Sequence, residues 1–167
     1  SFAGYGENGW GLSACDGPSD ERQDVAHEER HLFGYAARGV PYGPDDGSLS
    51  APAVLASLPF APDIALAGVR CMLRRYPQIL TEGRLASAFN PSLAQADGAP
   101  WVSAGHYGLD QGIVLMMIEN HRSGFLWQLM RGCPYLVDGL RRAGFSGGWL
   151  LHPTPRVELL GRPATPP

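Results

Sequence analysis

A chain of 167 residues is long enough for one domain or a large piece of one, and its 44% hydrophobic and 10% aromatic content supplies a packed core. The 22 glycines and 15 prolines favour turns and irregular segments, yet the apolar share excludes a disordered chain. A formal charge of −3, with 13 basic residues that are all Arg, excludes a strongly basic nucleic-acid-binding surface, and no run reaches the ~18 apolar residues of a membrane-spanning helix.

The opening segment, SFAGYGENGWGLSACDGP, keeps neither a helical nor a strand period. It reads as a Gly-rich loop running into a short helix that Gly17-Pro18 closes. Phe2, Tyr5 and Trp10 are aromatic anchors with nothing before them to pack on, so the expectation is a C-terminal part of a longer protein. Residues 19–31, SDERQDVAHEERH, form a charged excursion or hairpin, and residues 34–49 are again loop, with turn signals at Gly43-Pro44 and Asp46-Gly47.

Helices follow. Ser50 caps a helix over Ala51–Leu58, with Pro52 in the first turn, where its missing N–H costs nothing. Pro62 and Asp63 open a second helix to about Tyr76, acidic at its start and Arg-rich at its end, as the helix dipole favours. Residues 80–105 read as irregular or extended. Asp110 caps a helix from Gln111 to about Arg122 whose apolar residues run most of the way round, which predicts burial. Phe125–Arg131 and Tyr135–Ala143 are the last two helices, closed by Gly132 and Gly144. Residues 151–167 are a Pro-rich tail. The sum is an all-α reading with long Gly-rich loops.

Three constellations can carry chemistry. His27-Glu28-Glu29-Arg30-His31 fits H-E-x-x-H, in which two His one helical turn apart bind zinc and the Glu activates water. The motif needs a supported helix, and a solvated loop or short helix is the stronger reading of so hydrophilic a run; the metal expectation is none. The segment Tyr5–Pro18 gathers Glu7, Asp16, Tyr5, Trp10 and an amide among glycines. Aromatic faces stack on sugar rings, and glycosidases need a carboxylate pair. A buried aromatic turn is the competing reading. The third set, His106-Tyr107-Gly108-Leu109-Asp110-Gln111, leads into the apolar helix. Cys15, Cys71 and Cys133 have no zinc-site spacing and read as small hydrophobes, with one disulfide left open.

The order YGENGWGLSACDGP, GYAARGVPYGPDDGSLSAPAVLASLPFAPD, AFNP and HYGLDQGIVLMMIENHRSGFLWQLM resembles the bacterial glycoamylase-like domain, the domain of endo-β-1,2-glucanases and related β-1,2-glucan-processing proteins. The resemblance covers about residues 4–150, the domain portion of the chain. It implies the C-terminal portion of an (α/α)6 toroid, with the cleft built by inter-helix loops and further helices upstream. It implies hydrolysis of a β-glucan without metal or organic cofactor, an oligo- or polysaccharide partner, and a periplasmic or secreted location. By matching loops, Glu7 becomes the general-acid candidate and Asp16 the opposing carboxylate. Tyr5, Trp10, Asp46, Tyr107, Asp110 and Gln111 become the cleft wall, with Glu7 and Asp110 expected on one sugar-sized hollow. Ser87 stands where the family often has Asp, and Cys15 where Ser is common. A non-catalytic carbohydrate-binding module of the same fold is the alternative, and a zinc hydrolase a weaker one.

Overall fold

The structure, a computed structural model, describes residues 2–19, 22–25, 28–39 and 41–151, with the backbone alone for 22–25 and 28. It divides into two compact units, 1–121 and 122–167.

In the first unit, β1 (Ala14–Cys15) pairs antiparallel with β4 (Ala36–Ala37), and β2 (Arg22–Val25) with β3 (Glu28–His31). The short helix expected near Ala14 is therefore a strand. Upstream, Gly11 sits at φ +124°, outside the helical region. A Cβ there would also lie 2.7 Å from the Ser50 carbonyl oxygen. The charged run forms a hairpin, so Glu28–His31 is extended and the helix that a zinc motif needs is absent from those four residues; His27 lies outside the described residues. Among the described residues no cluster of His, Cys, Asp or Glu is arranged to hold a metal ion.

Two helices make the floor. In α1 (Ala51–Ala56) the Ser50 hydroxyl accepts the Ala53 N–H, as the sequence indicates. α2 (Pro62–Arg75) begins with Pro62 at its first position and Asp63 in its first turn, and ends on Arg74 and Arg75. Between this helix and the next come two hairpins, β5 (Leu80–Thr81) with β6 (Arg84–Leu85) and β7 (Phe89–Ala94) with β8 (Pro100–Val102). Glu82 and Gly83, both at positive φ, make the first turn. Phe89 also exchanges both backbone hydrogen bonds with Leu49, at 2.8 and 2.9 Å, which ties the second hairpin to the entry of α1. The core gathers Leu49, Val54, Leu58, Ala65, Val69, Met72, Ile79, Leu85 and Phe89. The molecule is thus helix-rich with small antiparallel sheets and not all-α.

α3 (Gly108–Ser123) begins two residues before Asp110, so Asp110 lies inside the first turn and is not the cap. Ile118 packs on the core and Asn120 is buried, but Leu115 is 70% exposed and Met116 half exposed. The burial expected from its all-round apolarity is met on one side only, since the first unit offers it a single surface.

The second unit holds α4 (Phe125–Arg131) and α5 (Pro134–Arg142), followed by a 3₁₀ turn at Gly148–Leu151. Gly132 closes α4 as expected. All three cysteines are free thiols.

Candidate active site

The segment from Tyr5 to Asp16 runs along the first unit. Gly6 and Gly9 exchange two backbone hydrogen bonds of 3.0 Å, leaving Glu7 and Asn8 at the tip of a tight turn. Gly9 is required there, because a Cβ would fall 1.7 Å from the Gly4 carbonyl oxygen. Glu7 is exposed. The Tyr5 hydroxyl donates to Asp45 Oδ1 at 2.5 Å. Burial, that bond and the nearby carboxylates push the phenol well above its usual range, so Tyr5 stays a neutral donor. Trp10 packs on the core, with its indole N–H buried and without an acceptor among the described residues.

Two neighbouring hollows follow. Tyr5, Trp10, Leu12 and Leu49 line the first, of ≈ 340 Å³. The second, of ≈ 430 Å³, is bordered by Leu12–Ala14 on one side, Leu109, Asp110 and Ile113 on another, and Tyr35. Leu12 belongs to both. The single hollow expected to hold Glu7 and Asp110 together is therefore two adjoining ones, and Glu7 lines neither; its turn carries the side chain out toward solvent. Asp110 does reach the second, and its Oδ2 is buried with no hydrogen-bond partner among the described residues. Gln111 turns inward and donates to the Leu85 carbonyl at 2.8 Å, where His106 Nδ1 also lies at 3.0 Å. Tyr107 is exposed at the start of α3.

Asp46 is a correction. Its side chain and that of Arg38 are both fully buried and meet in a two-point pair, Nε to Oδ1 and Nη2 to Oδ2, each 2.8 Å. Asp46 also accepts the Phe33 N–H at 3.0 Å and the Ser48 N–H at 3.1 Å. A carboxylate so enclosed offers nothing to a ligand, and Asp46 is not a cleft wall. Burial alone would raise its pKa, but the Arg38 guanidinium and the two amides hold it below the usual carboxylate range.

Arg38 spends its other donors on backbone carbonyls: Nη1 reaches Cys15 at 2.8 Å, and Asp16 and Ala36 at 3.4 Å, while Nη2 reaches Phe33 and Gly34. Asn90 extends the network, donating to the Asp46 carbonyl at 2.9 Å and to Ser48 Oγ at 3.3 Å. Burial pushes the Cys15 thiol up to about 11 against the opposing pull of Arg38, so it stays a thiol at neutral pH. The structure thereby binds residues 13–18, 33–38, 45–48 and Asn90 into one buried polar knot. Sequence reasoning missed Arg38. A lone Arg among glycines carries no local sign of burial, and only the distant acid at Asp46 makes burial affordable.

The Glycoamylase family model, described as "Putative glucoamylase", matches residues 1–134. The chain belongs to this family. It is 30% identical over 142 residues to the exo β-1,2-glucooligosaccharide sophorohydrolase (non-reducing end) of Parabacteroides distasonis, covering 84% of this chain and 17% of that protein. Among solved structures, one from Bacteroides uniformis with the same description as the family is 32% identical at a TM-score of 0.68, covering 90% of this chain and 31% of that one. The endo-β-1,2-glucanase of Chitinophaga pinensis, solved with sophorotriose and glucose, is 27% identical at 0.60, covering 84% and 29%. The chain thus spans less than a third of the length of each of these relatives, several of which are named as β-1,2-glucan hydrolases.

Proposed function

We propose that this chain is the C-terminal part, over residues 1–150, of a glycoside hydrolase that cleaves β-1,2-glucan or a related β-glucan, and that its helices are a portion of an (α/α)6 toroid followed by a Pro-rich tail. One observation carries the reading: the Leu12–Ala14 segment and the Asp110 entrance of α3, from two widely separated motifs, meet at one hollow. A carboxylate bordering such a wall suits a sugar hydroxyl, which donates a hydrogen bond to it. The exposed Tyr107 ring and the Tyr5 and Trp10 pair offer apolar faces to sugar rings. Gln111, held by Leu85, steadies the α3 entrance from behind.

For the reaction, one protonated carboxyl must donate to the leaving glycosidic oxygen while a second carboxylate activates water or attacks the anomeric carbon. Asp16, which lines neither hollow but follows the Leu12–Ala14 border of the second by two residues, is the candidate for the opposing carboxylate, and Glu7 is the donor candidate, carried on the turn that borders the first hollow. No metal or organic cofactor enters this scheme. The family resemblance favours a periplasmic or secreted location.

The test is incubation of the protein at its native length with linear β-1,2-glucan. Reducing ends should appear, and Asp16→Asn should abolish them while Glu7→Gln reports whether the turn supplies the acid. Oligosaccharide bound without turnover would favour the binding-module alternative. Neither binding nor turnover would end the carbohydrate reading.

A further inference from the structure

The Asp16 carboxylate is anchored asymmetrically. Its Oδ2 accepts the Ser103 hydroxyl at 2.6 Å, across 87 residues of sequence. Among the described residues its Oδ1 accepts no hydrogen bond. The hydroxyl has little freedom. Ser103 is only 3% exposed, its Oγ accepts the Gly105 N–H at 3.1 Å, and its own N–H donates to the Ala88 carbonyl at 2.9 Å. With one lone pair taken by Gly105, the hydroxyl proton points to Asp16. The Asp16 backbone is fixed as well: its N–H donates to Ser87 Oγ at 3.4 Å and its carbonyl accepts from Arg38 Nη1.

We propose that Ser103 is the positioning residue of the active site, fixing one oxygen of Asp16 so that the other is presented to the sugar or to the attacking water. The inference rests on the proposed hydrolase reading and deepens it. One hydrogen bond to Oδ2 and two to the Asp16 backbone limit how far the carboxylate can swing. A reacting oxygen held in place matters because a misplacement of about 1 Å costs on the order of 10²-fold in rate. Ser103 and Gly105 lie on the stretch that leads into His106, Tyr107 and α3. The same bond therefore sets the Asp16 segment against the loop that delivers Asp110.

The experiment measures kcat, KM and thermal unfolding for the protein at native length and for Asp16→Asn, Ser103→Ala and Ser103→Thr, with linear β-1,2-glucan. Ser103→Ala should lower kcat about tenfold or more, with KM within about twofold, alongside the modest drop in unfolding midpoint that the loss of two buried hydrogen bonds brings. Ser103→Thr keeps the hydroxyl and should hold kcat near the parent value. If Asp16→Asn abolishes turnover while Ser103→Ala keeps the parent kcat, the positioning role is overturned and the hydrolase reading stands. A Ser103→Ala protein that loses stability and activity together, alongside a Ser103→Thr protein that folds but loses kcat, also overturns it. Full activity in Asp16→Asn removes both the role of Asp16 and this inference, whereas a parent protein without turnover removes the hydrolase reading itself.

Discussion

The segment 33–50 and the pair of helices α4 and α5 put similar raw material to opposite uses. The first is a glycine-rich loop by composition, yet it holds four deeply buried side chains, Asp46, Arg38, Ser48 and Leu49. The second consists of regular helices rich in large apolar residues, yet Tyr135 is 87% exposed, Phe125, Phe145 and Met130 are about half exposed or more, and among the described residues Val137 is the one buried apolar side chain of that unit. Regular secondary structure is not what encloses a region; side chains matched to buried hydrogen-bond partners are, and the loop has them.

The sharpest way to break this contrast is Arg38→Met. It leaves the Asp46 carboxylate buried without its partner, and loss of one member of a buried pair costs about 3–5 kcal/mol. Chemical denaturation should show that loss in the first unit. Leu49→Ala is next. It empties a fully buried site and should cost about 2–5 kcal/mol. The matching truncation in the other region, Tyr135→Ala, should stay within about 0.5 kcal/mol, since an exposed ring loses little on removal. Equal losses at Leu49 and Tyr135 would erase the contrast.

Acid sharpens the comparison further. Asp46 has a folded pKa below its unfolded one, so its contribution is fully present above the unfolded value of about 3.9 and is lost as pH falls through the folded value. Unfolding midpoints should therefore drop below about pH 4, and Asp46→Asn, already weakened, should show a flatter acid limb. The smallest effect belongs to Ser50→Ala. Its capping bond is long at 3.4 Å, so a cost near the low end of the range, about 0.5 kcal/mol, is expected by thermal melting.

The helices were largely legible in the chain, because punctuation residues act locally. Ser50 caps α1, Pro62 starts α2, and Gly132 ends α4 where the pattern places it. The small ladders were not, since Ala14–Cys15 and Ala36–Ala37 carry no alternation and pair where Arg38 Nη1 reaches a carbonyl on each. At the candidate site, of the acids the sequence singled out, Asp110 borders a hollow, Asp16 borders neither, Asp46 is buried against Arg38 rather than on a wall, and Glu7 lies outside the space that Asp110 borders.

What this sequence determined by itself was its kinship, its helix boundaries and the residue types available for sugar chemistry, because each depends on short ordered motifs or on nearest neighbours along the chain. Tertiary structure alone decided which carboxylates are free and which are spent. Asp16 meets Ser103 and Asp46 meets Arg38 across folds of chain that no local pattern records, and the donor that the fold brings beside each acid decides how many of its oxygens are taken.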